Sequence, residues 1–205
     1  MIALLIAGAV GLLGSILATP LLISWLRARG IGQHIREDGP EGHFSKAGTP
    51  TMGGVALITA GVVGYAVAHI EGTFTDRGLV GVGVICVVGF VGFIDDLIKV
   101  TRRRSLGLNK RAKVLGQLLG ALAFSIACVY GLRVDTHLSF TRYDSLGVQL
   151  GSIGWIVVAV LVILGTTNAV NLTDGLDGLA AGSSAFNFAA FTVIGFYQLR
   201  HFNIY

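Results

Sequence analysis

Six apolar stretches, each near the length of a bilayer's hydrocarbon core, follow one another along this chain and leave little room for any other fold. They run over Ile2–Leu26, Met52–Ile70, Leu79–Ile98, Val114–Leu132, Ile153–Val170 and Leu179–Leu199. A helix needs about 20 apolar residues to cross a membrane. Within these stretches charge appears only as Asp95 and Asp96, near the close of the third. A helix that lies on a soluble core keeps a polar stripe, whereas one apolar all round is buried in protein or lipid. The expected fold is an all-α polytopic membrane protein, a single integral membrane domain over residues 1–205 with about six transmembrane helices. Composition agrees: only 13% of the 205 residues are charged, against roughly 25% in soluble domains. Thirty glycines also suit membrane helices, which they allow to approach closely.

The first stretch lacks a basic leader, exceeds the apolar length of a signal peptide and is followed by Arg27 and Arg29, so it reads as a true span. Orientation follows from the basic residues. Arg27, Arg29, Arg36 and Lys46 lie in a loop over about 27–51, and Lys99, Arg102, Arg103, Arg104, Lys110, Arg111 and Lys113 in a loop over 99–113. The opposite face carries Arg77, Arg133, Arg142 and Arg200. This excess places the two basic loops, and with them the loop 171–178, in the cytoplasm and the N-terminus outside. The net charge of +4 is thereby explained by topology, and no nucleic acid partner is expected. Cys86 and Cys128 lie inside apolar runs without metal-ligand spacing and read as small buried hydrophobes. Alternation around Tyr143–Gly147 allows a small external β-hairpin. The Gly116–Gly120 pair has the small-xxx-small spacing of close helix packing, which also arises by chance in a glycine-rich chain.

Chemistry points to the acids. Asp95 and Asp96 are adjacent at the end of a span, where a carboxylate costs up to about 2.5–3.5 kcal/mol at mid-membrane, and neighbouring carboxylates repel unless a cation or proton intervenes. The bland reading is a helix end reaching water, balanced by Lys99. The functional one is a polar pocket at the membrane boundary that binds a metal or moves a proton. A second cluster spans Thr166–Leu179, where Asn168, Asn171, Asp174 and Asp177 recur every three residues. A continuing helix places them on one face; a break at Gly175 and Gly178 makes them line a turn. Asn, Asp and Gly also favour ordinary turns. By the orientation argument both clusters share the cytoplasmic side with the basic loops. Carboxylates suit Mg²⁺ bridged to substrate phosphates and lysine suits phosphate, so transfer of a phosphorylated group, with one substrate a lipid, is the reaction class indicated. A third segment, His43–Gly54, offers Lys46 to a phosphate and Thr49, Thr51 and the Gly53–Gly54 backbone as donors at a helix start, although Thr-Pro is also a plain helix entry. His34, His43, His69 and His137 have no ligand spacing.

The ordered set Lys46-x-Gly-Thr-Pro-Thr-Met-Gly-Gly54, Phe93-Ile-Asp-Asp-x-x-Lys99 and Asn168-x-x-Asn-x-Thr-Asp-Gly-Leu-Asp-Gly178 resembles the phospho-N-acetylmuramoyl-pentapeptide transferase (MraY) family of the polyprenyl-phosphate N-acetylhexosamine-1-phosphate transferases. The resemblance extends over nearly the whole chain. It implies transfer of phospho-MurNAc-pentapeptide from its UDP carrier to undecaprenyl phosphate in the bacterial plasma membrane, giving lipid I and UMP for peptidoglycan, with Mg²⁺ as cofactor. On the family pattern Asp95 and Asp96 are catalytic, while Lys46, Thr51, Lys99, Lys113, Asn171, Asp174 and Asp177 bind substrate. Asp95, Asp96 and Asp174 are implied metal ligands, and homodimerisation is a family expectation.

The family has about ten spans, a further Asn…Asp motif that carries its principal metal ligand and a histidine-rich loop, so the 205 residues read as an N-terminal piece. The rival closest in kind is a transferase using UDP-GlcNAc or a related donor; the Thr-Pro-Thr-Met-Gly-Gly and Thr-Thr-Asn-Ala-Val-Asn runs favour the muramyl branch. A cation or proton transporter would place acids near mid-span on several helices, and a lipid-binding scaffold would need only the basic loops. Alone, the 205-residue chain is expected to make neither lipid I nor UMP; detection of either product with purified chain and both substrates contradicts this.

Overall fold

The computed structural model describes residues 2–31, 51–70, 72, 74–102, 106–139 and 147–201. Six helices appear: α1 Ile2–Ala28, α2 Gly54–Ala68, α3 Asp76–Thr101, α4 Lys110–Ile126, α5 Gly151–Thr173 and α6 Leu179–Arg200. Five are long and apolar enough to cross a membrane, α4 counted with its extension to Gly131. The exception is α2, for which the sequence suggests a stretch of spanning length but which forms a helix of only 15 residues. It starts after Gly53 and ends at His69, whose Nδ1 lies 2.7 Å from the Tyr65 carbonyl. Elsewhere the helices overrun the expected spans. In particular, the basic loop 99–113 is helical up to Thr101 and again from Lys110.

Hydroxyls inside these helices bond to their own backbone, as they must where water is scarce. Thr19 donates to the Ser15 carbonyl at 2.6 Å, Thr167 to that of Ile163 at 2.6 Å and Thr192 to that of Phe188 at 2.7 Å.

The chain divides within α4 into two units, residues 1–120 and 121–205. In the first, α1 and α2 pack through small residues. Ala56, Ala60 and Gly64, spaced by four, are the buried positions of α2. A Cβ on Gly64 would stand 2.6 Å from the Ala7 carbonyl oxygen, and one on Gly14 would stand 3.3 Å from the Ala60 methyl. Lipid tails supply no hydrophobic drive between helices, so such close backbone approach is how they gain packing energy. The Gly116–Gly120 pair serves the same end: Cβ atoms there would lie 3.0 Å from Val91 and 2.9 Å from Val87 of α3.

In the second unit α4 passes into a π turn over Ala127–Gly131, with the Leu132 amide donating to the Ala127 carbonyl. The hairpin follows as β1 His137–Ser139 and β2 Gly147–Gln149, antiparallel, with Leu138 opposite Val148. Residues 140–146 lie outside the described residues. Beside it, the exposed Asp135 carboxyl is held below its ordinary range by hydrogen bonding to the His137 side chain and backbone. Helix α6 buries none of its residues.

Replacing Gly64 with leucine is expected to drive α1 and α2 apart, costing about 1–3 kcal/mol as overpacking does; unfolding of the detergent-solubilised protein measures it.

Candidate active site

The last two turns of α3 carry Asp95, Asp96 and Lys99. Consecutive residues on a helix point about 100° apart, so the two carboxylates separate. Asp95 turns inward and is only 6% exposed, whereas the Asp96 side chain is 28% exposed. Lys99 lies one turn on, within reach of both. Its Nζ sits 2.7 Å from Asp95 Oδ2 and 2.9 Å from Asp96 Oδ1. The cation that the sequence suggests as a nearby balance is therefore a bridge between the two acids.

Further groups complete the cluster. Lys113, in the first turn of α4, brings Nζ to 3.9 Å from Asp95 Oδ2. The Leu108 amide donates to Asp95 Oδ1 at 2.8 Å. Thr51 Oγ1 donates to Asp96 Oδ2 at 3.0 Å. Two acids and two lysines balance, which is the condition for keeping charges out of bulk water. Thr51 is followed by Met52 at φ 73, a left-handed conformation uncommon for a residue with a side chain. Such strain persists where the surroundings enforce it, and here it lies in the short link between α2 and the threonine that meets Asp96.

The structure thus gathers Thr51, Asp95, Asp96, Lys99 and Lys113 in the first unit. Lys46, the remaining candidate from that part of the chain, lies outside the described residues. Asn171, Asp174 and Asp177 belong to the second unit. There α5 ends at Thr173, a turn carries Asp174 to Gly178, and Gly178 adopts φ 76 before α6. Of the two geometries the sequence allows, this is the break. Asn168 remains in α5, its Nδ2 donating to the Leu164 carbonyl at 2.9 Å, and Asn171, Asp174 and Asp177 are exposed. Among the described residues no three His, Cys, Asp or Glu side chains gather as a metal-binding group. The sequence reading misses Gly107 and the Leu108 amide, because a backbone donor has no signature in residue type. The available hint is Asn109, which caps α4 by accepting from the Ala112 amide at 2.7 Å and so fixes where the preceding loop must run.

Comparison with known proteins bears on what such a cluster serves. Residues 79–205 match the family model described as glycosyl transferase family 4. Residues 46–58 match phospho-N-acetylmuramoyl-pentapeptide-transferase signature 1, a segment that contains Thr51. The chain is 50% identical over 202 residues to a phospho-N-acetylmuramoyl-pentapeptide-transferase of Frankia alni, covering 95% of this chain and 56% of that protein. It is 43% identical over 220 residues to one from Corynebacterium kroppenstedtii, covering 98% and 60% respectively. A third, from Saccharopolyspora erythraea, is 44% identical over 209 residues, covering 97% and 57%. The chain therefore spans under two thirds of the length of these curated relatives.

Replacing Lys99 with glutamine leaves the adjacent carboxylates without their bridge, Lys113 being the remaining cation beside Asp95 among the described residues. Breaking a fully buried pair costs about 3–5 kcal/mol; with Lys99 34% exposed, roughly 2 kcal/mol is expected after solvent screening. Adding Asp95→Asn should restore part of that loss, so a double-mutant cycle of unfolding free energies with no coupling contradicts the bridge.

Proposed function

Because this chain belongs to glycosyl transferase family 4, we propose that the whole protein transfers phospho-MurNAc-pentapeptide from UDP-MurNAc-pentapeptide to undecaprenyl phosphate. The products are lipid I and UMP, and the setting is the bacterial plasma membrane, with the N-terminus outside and the reaction on the cytoplasmic side. The observation that carries the reading is the Asp95–Asp96–Lys99–Lys113 cluster at the end of a membrane-length helix, joined through Thr51 to the signature segment. Support for the muramyl donor comes from that signature and from the names of the relatives.

In the reaction an oxygen of the lipid phosphate attacks the sugar-linked phosphorus of the donor, and the bond to the UMP phosphate breaks. Asp96, the more open carboxylate, is assigned the proton of the attacking phosphate, a role worth about 10²–10⁴-fold. Asp95 is assigned to hold the lysines in place. Lys113, with the Lys46 of the sequence pattern, is assigned to the donor phosphates, and Asn171, Asp174 and Asp177 to its nucleotide end.

Mg²⁺ fits the donor chemistry of the pair. Both are hard oxygen ligands, close enough to share one cation, a place that Lys99 Nζ takes here. Such ions are commonly held by one or two carboxylates with substrate phosphates and water. Asp96 and Asp95 would hold it, and when bound it would neutralise charge developing on the diphosphate.

With full-length protein, both substrates and Mg²⁺, lipid I and UMP are expected. Asp96→Asn should lower kcat by about 100-fold or more without unfolding the protein. Preference for UDP-GlcNAc in a donor competition would transfer the reading to the sister enzymes, and undiminished function in Asp96→Asn would favour a scaffold.

A further inference from the structure

We infer that the loop Leu106–Asn109 is a positioning clamp for Asp95, with Gly107 and the Leu108 amide setting the orientation of that carboxylate and, through Lys99, that of Asp96. Two independent features of the loop converge on one side chain thirteen residues earlier. The Leu108 amide donates to Oδ1 at 2.8 Å. Gly107 lies so close that a Cβ would reach within 2.7 Å of Asp95 Cγ and collide with the backbone carbonyl of the same residue. Only a residue without a side chain lets the loop rest there.

The far end of the loop is pinned as well. Asn109 caps α4 through the Ala112 amide, and its carbonyl accepts from the Lys113 amide at 3.0 Å. This registers the first turn of α4 so that Lys113 approaches Asp95 Oδ2 while the Leu108 amide meets Oδ1. With Oδ1 taken by a neutral donor and Oδ2 by cations, Asp95 has one orientation that satisfies every partner. A rotated Asp95 would release Lys99 from its bridging place, and Asp96 would lose the same contact. Gly107 and Leu108 thus act through Asp95 and are positioning residues.

The contact is independent of the reaction, whereas its effect on turnover rests on the transferase reading; two measurements on the full-length protein keep these apart. In amide hydrogen exchange, protection over 106–109 should fall at least tenfold in Asp95→Ala and be largely kept in Asp95→Asn, which retains an acceptor oxygen. Exchange in α1 and α2 should not change in either variant. Unprotected amides at 106–109 in the unsubstituted protein, or equal protection in Asp95→Ala, would overturn the clamp even if no transfer activity is found. In turnover, Gly107→Ala should lower kcat at least tenfold while the KM for each substrate stays within twofold. A Gly107→Ala protein with unsubstituted kcat, or with the loss confined to KM, overturns the positioning role. Should Gly107→Ala disturb α1 and α2, the exchange comparison of the two Asp95 variants decides.

Discussion

Two carboxylates on consecutive residues at the end of a membrane-length helix need a cation between them, and Lys99 supplies it. Everything else in the candidate site is arranged around that bridge. Lys113 adds the second positive charge, so acids and bases balance within a few ångströms. Balance alone would leave the arrangement loose, because lysine is a flexible point charge. The neutral donors give it direction: the Leu108 amide on one carboxylate and the Thr51 hydroxyl on the other. Four separate pieces of chain, the entry to α2, the end of α3, the loop and the start of α4, therefore meet through two ammonium and two carboxyl groups.

The packing beneath explains why those pieces hold still. Helices in lipid gain little from burying apolar surface, so they depend on shape. Here shape comes from the missing side chains of Gly64, Gly116 and Gly120. The first ties α2 to α1 and the other two tie α4 to α3, the pair of helices whose junction carries Leu108. Glycine content that looks like a loose compositional trait in the sequence thus fixes the distance between the helices that carry the charged groups.

Much of this could be read without coordinates, for reasons that differ by element. The long apolar runs announce themselves because a hydrocarbon core imposes one length and one composition. The acidic pair stands out because ionised residues are costly there, and the Gly116–Gly120 spacing because close packing has a period. The hairpin shows in its alternation. What could not be read depends on atoms that residue type does not report. The Leu108 amide is backbone, identical in every residue but proline. Thr51 reads as a donor for substrate phosphate; its hydroxyl also meets Asp96, a partner 45 residues away that no local pattern links to it. The Ala56–Ala60–Gly64 stripe has no signature in the sequence, because alanine is common in any apolar run. The family resemblance offers Asp95 and Asp96 as a reacting pair for the proposed function; which of them faces inward follows from the helix.

The shortness of α2 carries one consequence for the lipid around it. Fifteen residues at 1.5 Å each extend roughly 22 Å, against a hydrocarbon layer of about 30 Å. A bilayer meeting such a helix must thin around the mismatch, or accept polar chain below the headgroups. Thr51 lies just before the start of that helix, and its partner Asp96 belongs to a helix of full span. Where the deficit falls at that end, the polar chain drawn toward the hydrocarbon layer is the segment of the Thr51–Asp96 contact.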